Sequence, residues 1–190
     1  MARAPSMHTF TPRSLGLALV CCTAFVGHAG TALAESFVDL GLNSSRVGAK
    51  IANQQARITT NTTGLHLGLG VRRELPKGGN IGVRLELDDV DSNVLLAIRA
   101  LDYRFNLSQR LGINAFAGAA RLSLATPAYG YYFGGGVQFK ELRPKWDLNI
   151  DVRYGDKIAR DNLLPTDPKG GSSDNFYDLT GIAVYLSRRF

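Results

Sequence analysis

The most informative pattern along the chain is a strict alternation of apolar and polar residues. From Leu65 to Val71 every second residue is aliphatic, and the residues between them are small or polar. The same period of two returns in residues 81–88 and 146–153. Because successive side chains of a β-strand point to opposite faces, this pattern predicts strands with one aliphatic face and one polar or charged face.

Eight segments of this kind lie between turn-forming residues. A soluble antiparallel sheet would need a second sheet to cover its aliphatic face, whereas a lipid-facing barrel needs only the bilayer. An even number of antiparallel strands closes without an unpaired edge in hydrocarbon. We therefore predict an all-β fold, an eight-stranded antiparallel transmembrane β-barrel. The predicted strands cover residues 36–43, 62–75, 81–88, 94–105, 111–121, 129–140, 145–154 and 176–190.

The fourth predicted strand changes phase part-way along. Its apolar residues from Val94 to Ile98 share one parity, and those from Leu101 to Phe105 share the other. Without an irregularity, charged residues of one half would face lipid, where an arginine near the bilayer midplane costs about 2–4 kcal/mol. A β-bulge at residues 99–100 would keep both apolar sets on the same side.

The first 34 residues have the pattern of a cleaved export signal. Arg3 and Arg13 supply positive charge, residues 15–26 form a mostly apolar core, and residues 32–34 (Ala-Leu-Ala) supply a small-x-small cleavage site. The apolar run is shorter than the ~20 residues that a spanning helix needs. We predict a signal peptide at residues 1–34, followed by one β-barrel domain at residues 35–190.

Removing this leader changes the chemistry available to the chain. Both cysteines leave with it, so that disulfides and thiolate metal sites are excluded. Val20, before Cys21, is too large for a lipoprotein signal. The remaining 20 Lys and Arg against 16 Asp and Glu give a net charge of +4. That diffuse charge suits contact with anionic lipid headgroups, and no basic run or motif indicates nucleic-acid binding.

The predicted connections differ in length between the two ends of the barrel. Residues 76–80, 106–110 and 141–144 form three tight connections, whereas residues 44–61 and 155–175 are longer and more polar. With the N-terminus in the periplasm, the short set lies on the periplasmic side and the long set outside. Aromatic residues near both strand ends suit interfacial girdles: Tyr103, Phe105, Phe139 and Phe190 at the inner end, and Tyr129, Tyr131 and Tyr154 at the outer end.

The whole mature chain resembles the small outer-membrane β-barrels of Gram-negative bacteria, of the OmpA/OmpX or "porin family" kind. The resemblance is carried by the export site at 32–34, residues 100–105 (ALDYRF) before a short turn, the Gly-rich residues 129–140, and the terminal Phe190. Arg188 departs from the pattern, since those barrels usually carry an aromatic or apolar residue there. The resemblance implies export by the general secretion pathway, periplasmic chaperones and barrel-assembly machinery, with Phe190 as the assembly signal, and an outer membrane containing lipopolysaccharide.

The polar face should fill the lumen. Eight strands enclose a space that side chains can just fill, and the inward acids and bases nearly balance. Unpaired buried charge is costly, so this balance favours a hydrogen-bonded plug, whereas a selective pore would show one sign in excess. A narrow ion path is the alternative. The candidate lumen network comprises Arg72, Arg84, Glu86, Asp102, Arg104, Asp147, Asp151 and Arg153, with Asp39, Asp88, Lys140 and Lys145 of the same inward parity.

An enzymatic role has one candidate residue, because His66 is the single histidine after the leader. Some small outer-membrane barrels modify lipid A, and a histidine that activates a serine nucleophile would suit such chemistry. The parity of His66 places it inside the barrel, which favours a lumen histidine bonded to a carboxylate. Asp88, Asp89 and Asp91 could suggest a calcium ligand cluster, but no complete calcium loop is present. We expect no catalysis, no cofactor and no metal.

The remaining class is an interaction protein, in which the barrel displays its long connections. Residues 44–61 carry Arg46, Lys50 and Arg57, and residues 155–175 mix both charge signs. Such surfaces could bind lipopolysaccharide phosphates or an external ligand. We predict a monomeric integral outer-membrane protein with a structural or surface-interaction role, such as adhesion or envelope integrity. The alternatives are a lipid-A-modifying enzyme using His66 and a narrow pore.

Overall fold

The chain folds as a closed barrel of eight antiparallel strands in which every strand pairs with its sequence neighbours and β1 also pairs with β8. The computed structural model describes residues 34–51, 57–76, 78–124, 127–160 and 175–190. The predicted signal peptide lies outside these residues up to position 33. The strands are β1 (Ala34–Ile51), β2 (Arg57–Leu75), β3 (Gly79–Val90), β4 (Asn93–Asn106), β5 (Leu111–Leu122), β6 (Ala128–Arg143), β7 (Trp146–Arg160) and β8 (Asn175–Arg189). The predicted all-β barrel of eight strands is confirmed.

The two faces of the barrel wall reverse the arrangement of a soluble protein. Outward side chains of the aliphatic set are open, with Leu40 and Leu65 each 59% exposed. Inward side chains next to them are polar and buried, and Asp39 and His66 are each 0% exposed. The period-two pattern therefore distributes residues as predicted. Within the described ranges, no helix is long and apolar enough to cross a membrane.

The connections define two different ends of the barrel. The turn end carries the tight connections at 76–78, 107–110 and 144–145, which were predicted as short. The loop end carries the connections between β1 and β2, β3 and β4, β5 and β6, and β7 and β8. The connection between β3 and β4 is shorter than residues 89–93, the segment left between the two predicted strands. Asp91 and Ser92 alone join them, with φ values of 53° and 62°, as in the primed two-residue turns that match strand twist.

The prediction of a long loop at residues 44–61 was wrong, because most of these residues belong to β1 and β2. β1 continues to Ile51, and the pairing with β2 runs from Ser44 opposite Thr63 to Lys50 opposite Arg57. The outward residues of this stretch, such as Arg46 and Asn61, are polar, whereas the inward Val47 packs against a buried apolar cluster, so the pattern of aliphatic residues outside and polar residues inside ends here. Its four threonines are β-branched and favour extended backbone. Of the second predicted loop, residues 155–160 belong to β7, and residues 161–174 lie outside the described residues.

The predicted bulge in β4 is present. Arg99 pairs with Gly118 of β5 and Leu101 pairs with Ala117, so Ala100 is the extra residue. Arg99 is buried at 0% exposure, and Asp102 and Arg104 beyond the bulge are also buried. One strand therefore turns charged residues of both parities into the lumen, while Ile98 before the bulge and Leu101 beyond it both stay outside.

Glycines on the inward face make room for large lumen side chains. A Cβ atom on Gly70 would lie 2.5 Å from Cζ of Phe37, and one on Gly134 would lie 2.5 Å from Cζ of Phe116. The narrow interior of an eight-stranded barrel has little spare volume. The Gly-rich stretch of β6 thus makes room for an aromatic ring from β5, since Phe116 pairs directly with Gly134.

Candidate functional site in the barrel lumen

The lumen divides into two layers. The apolar layer lies toward the loop end and consists of Val90, Leu95, Ala97, Phe116, Ala120, Leu122, Ala128, Ile158 and Leu179, each at most 4% exposed. The charged layer lies below it, toward the turn end. It consists of Asp39, His66, Arg84, Glu86, Asp88, Arg99, Asp102, Tyr132, Asp151, Arg153 and Tyr185, each at most 3% exposed.

Arg99 occupies the boundary between the layers. Its Nη2 atom lies 2.6 Å from Oε1 of Glu86 and 2.8 Å from Oδ2 of Asp151. Its guanidinium carbon lies 3.5 Å from the centroid of the Phe116 ring, in a cation–π contact. One cation thus bridges two carboxylates from different strands and holds them beneath an apolar ring.

Arg84 makes the second hub of the charged layer. Its Nη1 atom lies 2.9 Å from Oδ2 of Asp39, and its Nη2 atom lies 3.0 Å from Oδ2 of Asp102. It also donates a 2.6 Å hydrogen bond to the hydroxyl of Tyr185. That hydroxyl donates in turn to Asp151 at 2.7 Å. The phenol therefore links the Arg84 hub to a carboxylate held by Arg99.

Arg153 forms the third hub with the same use of a tyrosine. It contacts Oδ2 of Asp88 at 2.5 Å and donates to the hydroxyl of Tyr132 at 3.1 Å. The Tyr132 hydroxyl donates to Glu86 at 2.9 Å. Each tyrosine accepts from an arginine and donates to a carboxylate. The ion pairs of Arg99 with Glu86 and Asp151 join these two chains, so the three hubs form one continuous network of ion pairs and hydrogen bonds.

His66 belongs to this network. Its Nδ1 atom lies 2.6 Å from Oδ1 of Asp88, and its Nε2 atom lies 4.0 Å from Oε1 of Glu86. The ring packs against Tyr185 at 4.7 Å between centroids. The position therefore agrees with the interpretation of a lumen histidine bonded to a carboxylate. Its hydrogen-bonded nitrogen is held by a carboxylate, and its Nε2 atom has no hydrogen-bond partner among the described residues, whereas the enzymatic alternative needs a serine hydroxyl beside the ring.

The three acids considered for calcium do not converge. Asp88 points into the lumen toward His66, Asp89 is exposed on the outer face, and Asp91 lies in the two-residue turn. Asp88 is 2% exposed, in agreement with its predicted inward parity. Within the described residues, no group of three or more His, Cys, Asp or Glu side chains is arranged to hold a metal ion.

The eight predicted network residues are all buried inside the barrel, in two groups. Arg84, Glu86, Asp102, Asp151 and Arg153 belong to the charged layer. The others lie nearer the turn end. There Arg72 donates to Glu35 at 2.7 Å and lies 3.6 Å from Asp147, and Arg104 donates to Asn149 at 3.2 Å. Among the additional inward candidates, Lys145 was placed wrongly. It lies exposed in the turn between β6 and β7 with φ of 67°, because the chain reverses there.

Sequence reasoning left several network members unassigned. Arg99 was tied to the bulge but was not among the lumen candidates, and the two bridging tyrosines were not identified. Tyr185 stands between Val184 and Leu186, and its parity alone predicts an inward ring. Tyr132 shares its parity with Gln138 in the same way. Their buried hydroxyls need partners, which is the signal that could have added them.

The architecture is that of the small eight-stranded outer-membrane β-barrels. No protein-family model and no curated protein sequence matches the chain. The crystal structure of Ail, the attachment invasion locus protein of Yersinia pestis, has a TM-score of 0.53 at 14% identity and covers 82% of this chain and 98% of its own. OprG from Pseudomonas aeruginosa has 0.47 at 13% identity, covering 85% and 98%, and Neisserial surface protein A has 0.46 at 13%, covering 82% and 97%. These likenesses concern the fold.

Proposed function

We propose that the protein is an integral outer-membrane β-barrel with a structural or surface-interaction role and without catalysis. The reversed wall carries this proposal. Aliphatic side chains such as Leu40 and Leu65 are exposed on the outside, while the charged layer is buried inside. Exposed apolar surface of this extent is unfavourable in water and favourable in a bilayer. Closure of the sheet gives the backbone N–H and C=O groups the hydrogen-bond partners that hydrocarbon cannot supply.

The packed lumen supports a shape-holding role over conduction or chemistry. The charged layer pairs its acids with arginines, and the apolar layer fills the lumen toward the loop end. A conducting path needs sites that ions enter and leave, whereas these charges hold one another at hydrogen-bond distances. The paired network gives the barrel a rigid cross-section on which the loop end can be presented.

The loop end supports a surface-interaction role. The hairpin of β1 and β2 extends beyond the last paired residue of β3, because β3 pairs with β2 only from His66 onward. Outward residues on this extension are polar and exposed, including Arg46, Asn61 and Thr63. Ail, the similar structure, bears the printed name of an attachment invasion protein. We propose that this polar hairpin contacts lipopolysaccharide or an external partner, as in adhesion or envelope integrity.

The rest of the proposal concerns how the barrel reaches its place. Residues 1–34 direct export through the general secretion pathway, and periplasmic chaperones pass the chain to the barrel-assembly machinery, with Phe190 as the assembly signal. The turn end faces the periplasm, because outer-membrane barrels place their short turns there. The folded barrel functions as a monomer.

The proposal is tested by expressing the full chain in a Gram-negative host and recovering it from the outer-membrane fraction. We expect a gel mobility shift on boiling, which reports a closed barrel. Leu67→Arg, in the aliphatic band, should make the free energy of folding into vesicles less favourable by about 2–4 kcal/mol. Asn61→Arg, outward on the polar extension of the same strand, is the matched control and should change it by about 1 kcal/mol or less. A water-soluble periplasmic product without a shift would overturn the proposal.

A further inference from the structure

Three side chains form a row on the outer surface at the turn end. Arg143 at the end of β6 pairs directly with Trp146 of β7, and Trp146 pairs directly with Arg188 of β8. Directly paired residues of an antiparallel sheet lie on the same face. Trp146 shares its parity with the aliphatic Leu148, so this is the outward face. Both arginines are exposed. We call these three residues the Arg–Trp–Arg row.

Aromatic rings hold the guanidinium of Arg188 in place. Its central carbon lies 5.7 Å from the ring centroid of Trp146 and 5.2 Å from that of Phe190. Cation–π contacts at these distances fix the plane of the cation while leaving its N–H groups free to bind another group. Arg188 is the residue that departs from the outer-membrane barrel pattern, and its neighbours supply the aromatic surface.

The row lies at the border of the aliphatic band. Along β8 the next outward residue is Leu186, and across the strand pair Arg188 faces Val38 of β1. Each of these two side chains is 42% exposed. Lys145, exposed in the adjoining turn, adds a third positive charge. The nearby acid Glu141 is engaged by Arg189 at 3.6 Å. The border therefore carries an excess of positive charge directly next to apolar surface.

We infer that the Arg–Trp–Arg row is a headgroup site for an anionic phospholipid of the periplasmic leaflet. Guanidinium groups match the paired oxygens of a phosphodiester, and an indole is favoured at the level of lipid headgroups. The acyl chains would lie along Leu148 and Leu186. A zwitterionic lipid brings its own cation to this site, whereas an anionic lipid does not. The inference rests on the proposed membrane location and orientation.

The test uses the chain's single tryptophan, Trp146, which lies in the row itself. The protein is reconstituted into phosphatidylcholine vesicles that contain increasing amounts of phosphatidylglycerol with brominated acyl chains, which quench a neighbouring indole. Brominated phosphatidylcholine gives the reference. Because an arginine near an anionic surface contributes about five-fold to binding, we expect an about ten-fold or greater preference for phosphatidylglycerol at Trp146.

Variants separate the site from general surface charge. Arg188→Gln should lower the preference about five-fold, and the double variant Arg143→Gln with Arg188→Gln should bring it near unity. Arg73→Gln is the matched control, since Arg73 is exposed at the turn end beside Ala34 and Ile81 and has no aromatic neighbour in the register. It should leave the preference unchanged. Each variant must keep the mobility shift on boiling.

The outcomes distinguish failure of the site from failure of the proposed function. Equal quenching by the two lipids in the unaltered protein would overturn the headgroup site while leaving the membrane barrel intact. An equal loss of preference in Arg73→Gln and Arg188→Gln would also overturn it, because the effect would then be one of total charge. If neither brominated lipid quenches Trp146, the result would instead contradict the membrane location on which the site rests.

Discussion

The charged layer and the apolar layer are built on the same inward face of the same strands, yet they hold the barrel by different means. In the charged layer, each arginine hub fixes specific carboxylates from other strands at 2.5–3.0 Å. In the apolar layer, side chains such as Leu95 and Ile158 fill volume without directional contacts. The charged layer therefore specifies how the strands are positioned relative to one another, and the apolar layer excludes water from the lumen.

The two layers depend on each other through the dielectric environment. Ion pairs weaken when water reaches them and strengthen in a dry, low-dielectric interior. The apolar layer stands between the charged layer and the loop end, and the Phe116 ring lies directly against Arg99. Damage to the charged layer should therefore be costly, and damage to the apolar layer should cost nearly as much.

The largest effect is expected from Arg99→Gln. The substitution leaves Glu86 and Asp151 buried without the cation that they share, and such a loss costs about 3–5 kcal/mol. The free energy of unfolding by urea in lipid vesicles measures it. Arg46→Gln, on the exposed outer face, should change that free energy by less than about 0.5 kcal/mol. A similar small effect from both variants would show that the ion pairs do not hold the barrel.

Leu95→Ala should follow, with a loss of about 2–4 kcal/mol. Leu95 is 1% exposed in the apolar layer, and truncation removes buried methyl groups and opens a cavity. The same unfolding measurement applies. Leu95→Met conserves volume and should cost less than about 1.5 kcal/mol. If Leu95→Ala proves neutral, the apolar layer is not packed as described, and the comparison between the two layers fails.

Tyr185→Phe tests the phenol bridge at an intermediate level. It removes the hydroxyl that joins Arg84 to Asp151 but keeps the ring, so we expect a loss of about 1.5–3 kcal/mol. Tyr131→Phe makes the same chemical change at an outward position that is 67% exposed and should have almost no effect. An equal loss in the free energy of unfolding for the two variants would argue against a continuous network.

The smallest effect is expected at the turn-end rim. Glu35→Gln weakens the contact with Arg72, but the Glu35 side chain is 36% exposed, and solvent screens such pairs. The expected loss is below about 1 kcal/mol and should shrink further as salt is added. A loss as large as that of Arg99→Gln would mean that the rim belongs energetically to the charged layer.

Alternation in the sequence predicted the barrel, its eight strands and the bulge of β4, because each depends on which face a residue takes. The alternation did not predict strands where the outward residues are not aliphatic. Residues 44–51 and 57–61 extend β1 and β2 past the aliphatic band, and outward residues there, such as Arg46 and Asn61, are polar while the inward Val47 is apolar. A connection between residues 88 and 94 was predicted, but its shortness was not, since neither Asp91 nor Ser92 is the glycine that usually marks a two-residue turn.

The lumen was predicted as a set of residues and not as a set of contacts. Parity placed Arg84, Glu86 and Asp151 inside, but pairing depends on how far each strand is staggered against strands distant in sequence. The contact between Arg84 and Tyr185 joins residues 101 positions apart. Periodicity carries no information about such stagger, so the three hubs and their phenol bridges required the structure.

The single extra residue at Ala100 has a consequence for anyone who would redesign this barrel. A one-residue slip of a strand exchanges its two faces. Regularising β4 by deleting Ala100 would therefore leave its first half correct and turn Asp102 and Arg104 toward hydrocarbon. β4 therefore consists of two short segments of opposite parity, and the extra residue Ala100 is what allows both segments to keep aliphatic residues toward the lipid.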